Sequence, residues 1–309
     1  MKKIMKMIIV LGVIFALGQF SNRNYVKAED SQQEKLELVK VDVRTGKREV
    51  IEIDNSTQYD VNEIVSEGYS PYTSKFNDID NQVSTRGIVG GIDDRELVQN
   101  TSQYPYRAIA RLTMKYADGT YKAGSGFMIS KNVMATAGHC LTNSDGYGTV
   151  EITAEFGQNG SYVYKRATDM VCYIYYPGFT HNQYDSDYGF VVFGSDVGLE
   201  TGYFGIIQNP SIGDSVVAAG YPGGNECQLY KGNGVLYNMG KCIAYLTCDI
   251  TNGQSGGPVY KYVSGSSVPY AIGMVSGGYG DQYTFARRLE PEICNWLVSN
   301  GYLTGADIR

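Results

Sequence analysis

Gly189-Phe190-Val191-Val192-Phe193 is a run of β-branched and aromatic residues behind one glycine, and Asp185-Ser186-Asp187-Tyr188 leads into it. It has the length of a strand and is too short for a helix, and its composition suits a pleated sheet. The same texture repeats on both sides. Ala108-Ile109-Ala110-Arg111-Leu112, Gly126-Phe127-Met128-Ile129 and Val150-Glu151-Ile152-Thr153-Ala154 precede it. Val216-Val217-Ala218-Ala219-Gly220-Tyr221 and Tyr270-Ala271-Ile272-Gly273-Met274-Val275 follow. Turn formers separate such runs: Asp118-Gly119, Ser144-Asp145-Gly146, Gly223-Gly224-Asn225 and Asn233-Gly234. Helical punctuation is found only near the end, where Leu289 to Val298 carries Pro291 near its start and Gly301 just after it. Residues 88–309 are therefore expected to be all-β: two packed antiparallel β-barrels, about 88–195 and 196–285, then a C-terminal α-helix.

The N-terminal part has a different texture. Lys2, Lys3 and Lys6 precede an apolar run from Ile8 to Leu17, and Val26-Lys27-Ala28 offers a small-residue cleavage site. This is the pattern of a secretory signal peptide over residues 1–28, and the run is too short to span a bilayer comfortably. Residues 29–87 contain no cysteine or tryptophan and more acidic than basic residues. Leu36-Glu37-Leu38-Val39 and Val50-Ile51-Glu52-Ile53 suit short strands, and Asn55 to Gln82 is polar and turn-rich. This segment reads as a removable propeptide rather than a folded domain.

Composition narrows the chemistry. The 309 residues hold 26 Lys and Arg against 32 Asp and Glu, a net charge of −6, which argues against nucleic acid as a partner. It also argues against stable membrane association. An exported protein can keep disulfides, and the six cysteines (Cys140, Cys172, Cys227, Cys242, Cys248 and Cys294) are expected to form them in an undetermined pairing. Their spacing makes no zinc knuckle. His139 and His181 are the only histidines, so a histidine-rich metal site is excluded.

Three local patterns carry chemistry. Thr136-Ala137-Gly138-His139-Cys140 follows the apolar stretch Asn132-Val133-Met134-Ala135 and places a histidine among small residues. Thr251-Asn252-Gly253-Gln254-Ser255-Gly256-Gly257-Pro258-Val259 sets a serine among glycines, which permit the tight turn an exposed nucleophile requires. The backbone N–H groups of Gly253 and Ser255 would then face a developing oxyanion. Asp187, nearer the strand than Asp185, can be buried against a histidine and fix its tautomer. His181 lies in a polar loop and reads as a surface residue. The order His139, Asp187, Ser255 is that of the chymotrypsin architecture.

These motifs resemble those of trypsin-like serine proteases. Asp93-Asp94-Arg95, Asn100-Thr101, Tyr104 to Ile109, Gly202-Tyr203-Phe204-Gly205 and Gly220-Tyr221-Pro222-Gly223 are similar to segments of the secreted bacterial glutamyl endopeptidases. The resemblance covers about residues 88 to 300. It implies a double β-barrel with the site in the cleft between barrels, secretion as a zymogen that another protease activates, and protein or peptide substrates. A monomer without cofactor is expected; some family members bind calcium, but no ligand cluster for it stands out.

Two features depart from the family. The glutamyl enzymes carry a histidine on the strand after the nucleophile, where Met274 or Val275 stands here. Ile88-Val89-Gly90-Gly91 resembles the mature N-terminus of animal trypsins, whose amino group pairs with an aspartate just before the nucleophile. Gln254 occupies that place, so activation by such an ion pair is not expected, and maturation is placed after Arg86 or one residue on. For specificity, Asp249 lies six residues before Ser255, where trypsins hold the acid that binds Arg or Lys. Ser276, Gly277 and Gly278 are the expected substrate-binding edge, pairing with the substrate backbone. The alternatives to a serine endopeptidase are a non-catalytic exported binding module on the same barrels and an esterase.

Overall fold

A computed structural model describes residues 36–53, 64–66, 93–177, 184–224, 227–279 and 283–303. The expected signal peptide, Arg86, Ile88 to Gly91 and His181 lie outside these residues. Two nine-stranded sheets carry the chain. The first uses β1 (Leu36–Asp42), β2 (Arg48–Ile53), β5 (Ile109–Tyr116), β6 (Tyr121–Met128), β7 (Val133–Thr136), β8 (Thr149–Phe156), β9 (Lys165–Ala167), β10 (Met170–Tyr175) and β11 (Gly189–Phe193). The second uses β3 (Ile64–Ser66), β4 (Glu96–Leu97), β12 (Gly205–Ile207), β13 (Ser215–Gly220), β14 (Tyr230–Met239), β15 (Ile243–Leu246), β16 (Pro258–Tyr262), β17 (Pro269–Tyr279) and β18 (Tyr283–Arg288). Two short helices, α1 (Gly138–Leu141) and α2 (Gly198–Thr201), interrupt them, and α3 (Pro291–Ser299) follows.

The first sheet runs β2-β1-β10-β11-β7-β6-β5-β8-β9. It curls on itself: β8 and β11 are four ladders apart, yet the rings of Phe156 and Phe193 lie 6.3 Å apart. Alternate residues of β5 (Ala110, Leu112, Met114 and Tyr116) point into this barrel's core, as the two-residue period of a strand requires. In the second sheet β13, β14, β15, β18, β17 and β16 close a six-stranded barrel through the β16–β17 pairing. Val216, Leu236, Leu246, Val259 and Ile272 fill it. A third apolar cluster, with Phe127, Phe204, Tyr260 and Leu229, packs between the barrels and receives Ile293, Trp296 and Leu297 of α3. The all-β, double-barrel expectation and the C-terminal helix hold. Pro291 opens α3, and Gly301, in the left-handed region at φ +73°, follows its end.

β4 pairs with β14, so Glu96 and Leu97 join the second sheet before the chain enters the first. Two expectations need correction. Asn233-Gly234 is not a turn but lies inside β14, where a Cβ on Gly234 would sit 2.7 Å from the Cys248 backbone nitrogen. Close backbone approach, not a turn, explains that glycine. The cysteines form no disulfide; all six are free. Cys140, Cys172 and Cys248 belong to three separate apolar clusters. Burial pushes the thiols of Cys242, Cys248 and Cys294 up to about 12.

Residues 36–53 form a hairpin with no separate domain of their own. β1 pairs antiparallel with β10, Val39 opposite Tyr175 and Val41 opposite Tyr173. Leu38 is fully buried in the cluster between the barrels, and Lys40 Nζ lies 5.8 Å from the Tyr302 ring, just past α3. The two strands expected in this segment are present.

Candidate active site

The pairing of β7 with β11 sets the geometry. Thr136 lies opposite Gly189, so the residues leaving β7 and those entering β11 are neighbours. His139 follows in α1, and Asp187 precedes β11 just after the 3-10 turn Tyr184–Ser186. Gly138 allows the approach: a Cβ there would lie 3.1 Å from the Tyr188 carbonyl oxygen and 3.4 Å from Asp187 Oδ1.

Asp187 is fully buried, and its carboxylate is satisfied three times. The His139 backbone N–H donates to Oδ1 at 2.9 Å. His139 Nδ1 lies 2.8 Å from Oδ2 and 3.0 Å from Oδ1. Ser276 Oγ donates to Oδ2 in a short hydrogen bond. A carboxylate only accepts, so Nδ1 carries the ring proton and Nε2 is left as the basic nitrogen. Burial alone would raise the Asp187 carboxyl, but the His139 charge and the bonds from His139 and Ser276 outweigh it and hold it below its ordinary value. Burial works against charge on His139, yet the facing Asp187 carboxylate raises the imidazole well above its usual value.

Ser255 is half-buried at a tight turn. Gly253 and Gly256 flank it in the left-handed region, at φ +96° and +83°. A Cβ on Gly256 would sit 2.3 Å from the Ser125 carbonyl oxygen. The turn is tied to both barrels. From the first, Ser125 N–H donates to the Ser255 carbonyl at 2.8 Å and Ser125 Oγ to the Gly253 carbonyl at 2.9 Å. Cys140 Sγ, buried beside His139, lies 3.7 Å from the same Ser255 carbonyl oxygen. From the second, Gly256 N–H donates to Val275 O, and Val275 N–H to Gly257 O, both at 2.8 Å. The Ser255 turn is thereby seated beside the turn that carries His139. Among the described residues, the N–H groups of Gly253 and Ser255 take no part in the bonds that tie the turn.

The remaining sequence candidates fall out differently. Ser276 turns its hydroxyl to Asp187, so its side chain steadies the acid. This also fixes Val275, fully buried, as the residue before the one that contacts the aspartate. Gly277 is half-buried and Gly278 exposed. The β16–β17 ladder ends at Pro258 opposite Met274, leaving Gly277 and Gly278 paired only with β18 along one side and Ser276 without a strand partner. Asp249 is engaged by the N-terminal segment: its Oδ2 accepts the Asp94 backbone N–H at 2.9 Å. Burial and the negative charges of Asp94 and Asp93 raise its carboxyl. Among the described residues no group of three His, Cys, Asp or Glu could hold a metal ion. No described helix is long and apolar enough to cross a membrane.

Sequence reasoning missed Ser125 and Arg95. Ser125 could have been noticed as a hydroxyl between Gly124 and Gly126, where small residues mark close backbone approach. Arg95 Nη1 donates to Gln254 Oε1 across 159 residues, a contact with no local signature.

Residues 124–268 match the trypsin-like peptidase domain. The glutamyl endopeptidase of Bacillus licheniformis is 28% identical over 225 residues, 70% of this chain and 69% of that protein. A Bacillus subtilis protein named extracellular metalloprotease is 30% identical over 218 residues, 66% of this chain and 67% of its own. Among solved structures, a Glu endopeptidase in complex with MPD superposes with a TM-score of 0.58 at 22% identity, covering 72% of this chain and all of that one. The protease Anisep from Arthrobacter nicotinovorans superposes with a TM-score of 0.54 at 22% identity, covering 64% of this chain and 97% of its own. The two solved structures speak for the double-barrel fold; the domain match and the two curated relatives speak for descent. The chain therefore belongs to the trypsin-like peptidases of chymotrypsin fold and is a homologue of glutamyl endopeptidase.

Proposed function

We propose that this protein is a secreted serine endopeptidase that cleaves peptide bonds through an acyl-enzyme, with His139, Asp187 and Ser255 as its triad. One observation carries the reading: the only described histidine has Nδ1 fixed at 2.8 Å on a buried aspartate, and the carbonyl of a glycine-flanked serine is anchored beside it. In the reaction His139 Nε2 takes the Ser255 hydroxyl proton as Oγ attacks the scissile carbonyl. Asp187 stays ionised and stabilises the imidazolium. The N–H groups of Gly253 and Ser255 receive the oxyanion; losing one such donor costs about 10²–10³ in turnover. His139 then protonates the leaving amine, and water, deprotonated by the same nitrogen, releases the acyl group. The substrate adds as a strand along residues 276–278, where Gly277 and Gly278 offer backbone without side-chain obstruction.

The reading extends to maturation and specificity. Residues 1–28 direct export, residues 29–87 are a propeptide, and a second protease cuts after Arg86 or one residue on; N-terminal sequencing of the secreted protein checks both cuts. Met274 or Val275 in the place of a pocket histidine speaks against the usual glutamyl pocket, and the Asp94 bond to Asp249 speaks against a trypsin-like acid. Cleavage-site mass spectrometry on a mixed peptide pool reads out the preference. The Ser255→Ala protein should retain its fold and lose all hydrolysis; hydrolysis surviving in that variant overturns the assignment.

A further inference from the structure

We infer that Arg95 is a positioning residue of the active site: it holds Gln254, and through it the peptide planes whose N–H groups receive the oxyanion. The inference rests on the serine-peptidase reading above. Arg95 Nη1 donates to Gln254 Oε1 at 2.9 Å. The same oxygen accepts the Thr251 backbone N–H at 2.9 Å, so it closes the loop that leads into Ser255. Gln254 is fully buried, and the two oxyanion donors belong to the residues on either side of it. Bonded to Arg95 and to the Thr251 N–H, its side-chain oxygen braces the turn that carries both donors.

Arg95 is itself firmly seated. Nε and Nη2 donate to the two oxygens of Asp93 at 2.8 and 2.6 Å, a bidentate fork. The guanidinium carbon lies 5.7 Å from the Tyr230 ring centroid, and the side chain is only 11% exposed. The next residue upstream, Asp94, donates its backbone N–H to Asp249 Oδ2. The short segment Asp93–Arg95 thus grips the nucleophile loop at both ends, residues 249 and 254. Animal trypsins set a charge pair between a freed N-terminus and an aspartate before the nucleophile. Here the residue before the nucleophile is uncharged, and an internal guanidinium makes the contact. Without Arg95 the buried Oε1 loses its charge-assisted donor. The preorganised donors, which act chiefly on the transition state, lose definition.

The test uses the secreted protein and four variants: Arg95→Ala, Arg95→Lys, Gln254→Ala and the Arg95→Ala/Gln254→Ala pair. Arg95→Ala should lower kcat by about 10–100-fold with KM changed less than about twofold. The acid limb of its pH profile should stay in place, because His139 is untouched. Arg95→Lys, which keeps the charge and one donor, should recover part of the loss; it also covers the case in which the alanine variant is not secreted. The double variant should be no worse than Gln254→Ala alone. Hydrogen exchange of amides 251–256 should accelerate in Arg95→Ala while the rest of the protein keeps its protection. A kcat within twofold of the parent, losses that multiply in the double variant, or unchanged loop exchange would each overturn the role. An inactive parent that Ser255-directed reagents do not label defeats the serine-peptidase reading instead, and the exchange measurement still decides whether Arg95 holds the loop.

Discussion

In the proposed mechanism Asp187 sets the acid limit of activity through a single ring nitrogen. There His139 works only as the neutral base, and the carboxylate against Nδ1 raises its pKa above the ordinary 6.5. The active form is therefore present above that raised value and is lost as pH falls through it. With Asp187→Asn the carboxylate's attraction disappears, and burial, which lowers the imidazole pKa, is opposed only by Cys140 among the causes that act on the ring. The acid limb of kcat/KM should then move to lower pH, while kcat falls by about 10⁴ because the amide no longer enforces the productive tautomer. An unmoved limb in that variant would show that another group controls it. Ser276→Ala removes the third donor to Asp187 without touching His139. A more modest loss in kcat, with the acid limb displaced only slightly, is expected from the same rate-against-pH measurement.

At the scale of elements, two facts of register bring the site together: Thr136 opposite Gly189 in the first barrel, and the end of the β16–β17 ladder at Met274 in the second. The residue types were readable in the chain because they are scarce or distinctive. One histidine sits among small residues, one aspartate leads an apolar strand, and one serine is ringed by glycines. The direction of the Ser276 hydroxyl was not readable. It depends on an irregularity between Val275 and Gly277, where the β17–β18 register shifts and Ser276 has no strand partner. Ser125 was equally hidden, since its hydroxyl finds the Gly253 carbonyl 128 residues away. The free edge at 276–278 carries its own prediction. Gly278→Pro removes a backbone N–H from this stretch of β17 and should raise KM for extended peptides more than for single-residue ester substrates, as steady-state kinetics on both would show.

Over the whole molecule, the double barrel with its C-terminal helix was legible from strand texture and helix punctuation. The place of the N-terminal segment was not. Its two strands were apparent from composition, but which sheet edge they join is a long-range matter: β1 adds to β10, next to β11, which carries Asp187 at its head. Leu38 puts a fully buried side chain into the cluster between the barrels. In the uncleaved chain Leu38→Ala should cost about 2–5 kcal/mol in denaturant unfolding. The cysteines were misjudged for a related reason, because a count says nothing of which strands meet.

The most direct measurement is covalent labelling by a phosphonate or fluorophosphonate, mapped by peptide mass spectrometry and run beside a casein digest. Stoichiometric modification of Ser255, absent in His139→Ala and accompanied by loss of casein hydrolysis, is the expected result. An active protein that carries no label on Ser255, or that digests casein after Ser255 has been fully modified, would contradict the triad.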